Sequence, residues 1–238
     1  MHFRIPAAIL LGFSVLTVTA AAQSPAPDHQ QPTLDELRSA VSNLPAGRVA
    51  RPDSYDAMTA KQVRYIEGVL SGPRNGISGP LAVMLPSPDL GDLTQRTMAY
   101  ARFAGTDGFS SVPPKLNELA VIMAARAWSS PYVWNAHHRY AVRMGLPAEL
   151  VEAVRTGAPP PANLEPDVEA VHAFLDELMT TRQVSDVTFE TARTALGGDR
   201  QLVDLIGTLA IYQMSAMLTA IDRTGLTEGE EPTLRPLD

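Results

Sequence analysis

Apolar residues recur along this chain with the three-to-four spacing of helices, while alternating strand patterns and two-residue hairpin signals are nearly missing. The pattern predicts an all-α protein. Thr33-Leu34-Asp35-Glu36 and Thr59-Ala60-Lys61-Gln62 are capping boxes, in which the threonine oxygen and the acid or amide three residues later satisfy orphan backbone donors. They open helices expected near 33 to 43 and 59 to 71. Between Ser71 and Pro88, glycines and prolines crowd into a loop that no helix is expected to cross, a connector or a lid. Ser87 and Pro88 start a helix to about Phe103, and a second irregular stretch, Gly105 to Val112, leads to the next. Ser130 and Pro131 open another, ending at Gly145 before Pro147. Further helices are expected near 147 to 156, 166 to 182 and 186 to 196. The last, from about Asp199 to Asp222, is apolar over most of its circumference, which requires burial in a core or a subunit interface. Gly207 in its interior points to close approach of another helix there.

The N-terminus carries a different pattern. His2 and Arg4, the apolar run Ile5 to Thr19 and Ala20-Ala21-Ala22 have the order of an export signal, so residues 1–22 are expected to be removed and the protein to be periplasmic or secreted, with no membrane insertion after cleavage. Residues 23–32 have too little apolar content to offset the entropy of ordering and form a linker. Residues 33–238 then form one helical domain.

Composition narrows the function. The formal net charge is −7, which argues against a nucleic-acid partner. There is no cysteine, so disulfides, thiolate nucleophiles, cysteine-type zinc sites and redox pairs are excluded.

Candidate chemistry concentrates in Leu116 to Trp128, a segment apolar nearly all round and interrupted only by Asn117, Glu118 and Arg126. A helix hydrophobic on every side is buried, and a carboxylate there is costly unless it is paired, hydrogen-bonded or protonated. Glu118 and Arg126 lie eight residues apart, roughly 12 Å along a helix axis. Each therefore needs a partner from another element, and the next helix offers Trp134, His137 and His138. A buried acid facing a histidine fixes the imidazole tautomer and readies it for proton transfer; the same two groups would equally satisfy each other as plain core residues. Glu169-Ala170-Val171-His172 has a metal-site spacing, but no second copy accompanies it, and neither metal nor cofactor is expected. No G-x-S-x-G elbow is present.

The run Pro114 to Ile122, then Ala125-Arg126-Ala127-Trp128, Tyr132-Val133-Trp134-Asn135-Ala136-His137 and Gly145-Leu146 resembles the core motif of carboxymuconolactone decarboxylase-like proteins. The similarity extends upstream through Gly72-Pro73-Arg74 and Gly79-Pro80, and downstream through Thr181 to Asp186. It implies an alkylhydroperoxidase D-like helical bundle assembled as a trimer or hexamer. In the alkylhydroperoxidase D-like branch a C-x-x-C pair falls where this chain has Ser130 and Val133, so the resemblance favours the cysteine-free decarboxylase branch. It makes His137 the proton donor or acceptor and Glu118 its partner. Arg126 or Arg74 would clamp a substrate carboxylate, with Trp134 and His138 as further binding candidates. The expected function is a lyase acting on a small carboxylated compound; the alternatives are hydroperoxide handling and a non-catalytic oligomeric binding or stress protein.

Overall fold

The computed structural model describes residues 31–72, 74, 76–102, 110–226 and 229–235. The expected export leader, most of the linker, and residues 105–109 of the second irregular stretch lie outside them. The described residues form ten α-helices and no strand: α1 (Leu34–Ser42), α2 (Ala60–Leu70), α3 (Pro80–Val83), α4 (Pro88–Arg102), α5 (Pro114–Ala127), α6 (Pro131–Arg143), α7 (Ala148–Thr156), α8 (Pro166–Thr181), α9 (Asp186–Leu196) and α10 (Asp199–Asp222), with one 3-10 turn at Tyr55–Ala57. The protein is all-α.

Local chemistry explains most of the boundaries. Both capping boxes form, Thr33 with Glu36 and Thr59 with Gln62. Ser130 and Ser185 accept from the backbone of Val133 and Thr188 at the starts of α6 and α9. Proline occupies the first turn of α5, α6 and α8, where its missing N–H would have been an orphan in any case. Gly157 and Gly197 close α7 and α9 in the left-handed conformation.

The stretch from Ser71 to Pro88 departs from the sequence expectation. It contains the one-turn helix α3, because Pro80 supplies a helical φ at the first position and Gly79 takes φ 51°, opening the chain for it. All four residues of α3 are buried, and α3 packs on α10, so this part of the loop is an apolar plug and not a plain connector.

Helix α5 is the axis of the bundle. Every residue from Leu116 to Arg126 is buried, with α6, α7, α8 and α10 packed around it. Helix α10 has the length and hydropathy to cross a bilayer, yet Leu205, Leu209, Tyr212 and Ala216 are buried in the same core as α5. Asn117 joins three helices, donating to the Ala101 carbonyl of α4 at 2.8 Å and accepting from Thr208 Oγ1 of α10 at 2.7 Å.

A buried ion pair ties the segment after α1 to the end of α10. Arg51 forks onto both carboxylate oxygens of Asp222 at 2.9 and 2.7 Å, and Val49 N–H and Thr224 Oγ1 donate to the same carboxylate. The Arg51 hydrogen bonds hold Asp222 well below the usual carboxylate range, against the opposing effect of its burial. A carboxyl with a lowered folded-state value contributes stability that is complete above the ordinary range and is lost as pH falls through the lowered value. Asp222→Ala, which strands Arg51, is expected to cost about 3 kcal/mol at neutral pH. In urea unfolding that deficit should shrink in strong acid; a deficit independent of pH would contradict the assignment.

Candidate functional site

Helices α5 and α6 form an antiparallel hairpin around a tight turn in which Ser129 takes φ 44°. Glu118 lies nine residues before the end of α5 and His137 six after the start of α6, which at about 1.5 Å per residue sets them within one helical turn of the same level. The buried face of α6 is Val133, Trp134, His137 and Ala141, an i, i+4, i+8 stripe with one neighbour, so His137 is turned toward α5. The two side chains meet. His137 Nδ1 lies 2.8 Å from Glu118 Oε2, and both side chains are almost wholly removed from the surface, at 5% and 2% exposure.

A cavity of about 1000 Å³ opens beside this pair. His137, Tyr132 and Val133 of α6 form one wall and Tyr212 of α10 another. Arg74 and Ile77 come from the loop before α3, Arg102 from the end of α4, and Ser39 and Asn43 from α1. Gly79 is required beneath Tyr132, because a Cβ there would collide with its ring and hydroxyl. With Nδ1 committed to Glu118, Nε2 is the nitrogen that His137 has left for the cavity it borders.

Two guanidinium groups, Arg74 and Arg102, border the cavity. Partial burial lowers Arg74 from its ordinary range; Arg102 pushes the same way through like-charge repulsion, while Tyr212 and Tyr65 oppose. A guanidinium stays charged even so, so two positive groups that repel each other face one space beside a histidine. Glu36, the one acid on the wall among the described residues, accepts from Thr33, and Thr33 holds its carboxyl below the usual range.

Of the residues singled out in the sequence, Glu118, His137 and Arg74 come to this site and three do not. Arg126 faces away from the cavity, donating to the carbonyls of Arg155 and Arg235 and to Ser129 Oγ. It braces the hairpin turn, the end of α7 and the C-terminal tail, so the eight-residue separation from Glu118 puts it at the wrong end of α5 for a substrate clamp. Trp134 is fully buried, with an Nε1 that lacks a partner, and stacks parallel on His138 at 5.8 Å. His138 bonds the Trp134 carbonyl at 2.9 Å and borders a separate pocket of about 280 Å³ under residues 229–233. Glu169 is exposed, His172 is half-buried and pushed down by that burial, and among the described residues no three metal-ligating side chains converge.

Arg102, Tyr132 and Tyr212 were missed. Arg102 reads in sequence as a routine last-turn cation and Tyr212 as packing in an apolar helix. Only the tertiary packing of α4 and α6 on α10 makes them wall residues. No protein-family model matches the chain, and no curated protein matches it.

Arg126→Met is expected to destabilise by about 2 kcal/mol, since it leaves carbonyls without their donors. It should also speed proteolysis after residue 229 and leave anion affinity unchanged, as read by denaturant melts, limited proteolysis and carboxylate titration. A loss of anion affinity at unaltered stability would return Arg126 to the binding site.

Proposed function

We propose that the chain is a carboxymuconolactone decarboxylase-like lyase and that the cavity beside α6 is its active site for a small carboxylated compound. The observation that carries this is the 2.8 Å Glu118–His137 contact, placed at the wall of a cavity that also receives Arg74 and Arg102. In this arrangement the Glu118 carboxylate accepts the Nδ1 proton and stabilises the imidazolium form of the ring, leaving Nε2–H to be delivered. The arginines hold the substrate anion against that proton source.

The step balances without a cofactor. The bond between the reacting carbon and its carboxylate breaks, carbon dioxide leaves, and the electron pair remains as a delocalised carbanion. Nε2 of His137 then protonates the carbon, and the neutral ring recovers its proton from solvent. A hydroperoxide-handling role has less support, because the chain has no cysteine to carry the electrons.

The same reading includes an alkylhydroperoxidase D-like bundle that assembles from several copies. Its support is the outer face of α10, where Val203, Met217 and Ile221 are exposed and Gly207 faces open space. It also includes export to the periplasm or beyond, supported by the basic, apolar and small-residue order of residues 1–22.

The test is a panel of small β-keto and unsaturated lactone acids in heavy water, followed for carbon dioxide release and deuterium incorporation. The parent should turn over at least one. On it, His137→Ala should lose about 10²- to 10⁴-fold in kcat, Glu118→Gln should lose less, and Arg74→Ala should mainly raise KM. Parent-like turnover by His137→Ala would overturn the role of His137 as the proton donor, and absence of carbon dioxide release from every acid would overturn the lyase function. Ligand-dependent thermal stabilisation with no turnover of any acid would favour a binding protein instead.

A further inference from the structure

Tyr212 borders the cavity with a hydroxyl that makes no hydrogen bond among the described residues. Its ring lies 4.9 Å from the His137 ring at 79°, an edge-on contact, and the residue is 4% exposed. Among the described residues nothing hydrogen-bonds its hydroxyl, yet that oxygen is not sealed away without a partner as Arg51 Nε, Arg126 Nε and Trp134 Nε1 are. The hydroxyl therefore opens onto the cavity that Tyr212 borders. Ser215, the next polar wall residue along α10, differs: its proton is committed to the Ile211 carbonyl at 2.9 Å.

The chemical state of the phenol is set by its surroundings. Burial pushes Tyr212 upward from its ordinary range, Glu118 adds to the effect, and Arg102 and Arg74 only partly offset it. The upward shift favours the neutral O–H, a hydrogen-bond donor. A preorganised donor in a site shielded from water acts on charge that develops during reaction more than on the neutral ground state.

We propose that Tyr212 is a further catalytic residue, donating a hydrogen bond to the substrate oxygen on which negative charge collects when the carboxylate leaves. The inference rests on the lyase function proposed above and narrows its substrate class to acids with a carbonyl oxygen conjugated to the reacting carbon, β-keto acids and their vinylogues. As the carbon–carboxylate bond breaks, its electron pair moves into that conjugated system and forms an enolate. Tyr212 holds the enolate oxygen without transferring its own proton, and His137 Nε2 protonates the carbon.

A binding experiment on the full chain tests this without knowledge of the natural substrate. The probe is 3-nitropropionate at mildly alkaline pH, whose carboxylate suits Arg74 and Arg102 and whose nitronate carries charge on oxygens attached to a carbanionic carbon. Propionate, with the carboxylate alone, is the control. Tyr212→Phe keeps the ring edge against His137, and unchanged imidazole signals in NMR confirm that the dyad is intact. The substitution should weaken 3-nitropropionate about tenfold or more, the worth of one hydrogen bond to a charged acceptor, and leave propionate unaffected. Equal binding of 3-nitropropionate by parent and variant would overturn the role of Tyr212 while the lyase function stands. Equal weakening of both ligands would also overturn it, since Tyr212 would then serve the carboxylate. If the parent binds neither, the anion cavity falls, and the role of Tyr212 with it.

Discussion

Burying one carboxylate in the central, almost wholly buried helix of the bundle is the constraint on which the rest of this structure depends. Glu118 sits in a segment whose every residue is sealed from solvent, where an unpaired ionised carboxylate would cost several kcal/mol. His137 meets that demand with a single contact from the neighbouring helix. The contact fixes the level at which α6 runs beside α5 and turns the Trp134 and His137 face inward. It also settles which ring nitrogen is left for the cavity. Fold and chemistry are therefore not separable at this point, because the interaction that makes the core tolerable is the one that orients the imidazole.

The other two polar breaks in α5 follow the same logic with different outcomes. Asn117, near the start, ties α5 to α4 and α10 through a carbonyl and a hydroxyl. Arg126, near the end, finds backbone carbonyls from α7 and from the tail. Glu118, Asn117 and Arg126 each thus find a partner from another element, and together they fix the neighbours around the axis. Two further guanidiniums lie at the periphery, where Arg74 on a loop and Arg102 at a helix end border a common cavity. Neither belongs to the apolar core, and Arg74 donates to the Gln95 carbonyl of α4.

The helices were legible because their signals are local. Capping boxes, proline at first positions and glycine after last ones act within four residues, and the boundaries they imply differ from those observed by a residue or two. Helix α3 was not legible, since its single turn depends on Gly79 taking φ 51° and on Leu81, Ala82 and Val83 finding a core to enter. The need of Glu118 for a partner was also readable, because one acid in an apolar surround breaks the pattern visibly. What the pattern could not supply was the direction of longer side chains relative to a cavity. Arg126 lies on the same helix as Glu118 and serves the opposite end of it, whereas Tyr212 is nearly a hundred residues away in sequence and touches the same imidazole.

The most direct measurement is the tautomer of His137, read from long-range proton–nitrogen correlations across a pH titration of the full chain. Nδ1 should keep its proton throughout, with Nε2 the nitrogen that gains and loses one, and Glu118→Gln should abolish that preference. A ring that keeps its proton on Nε2 while Nδ1 titrates would contradict the Glu118–His137 pairing, and a free-imidazole mixture of tautomers would do the same.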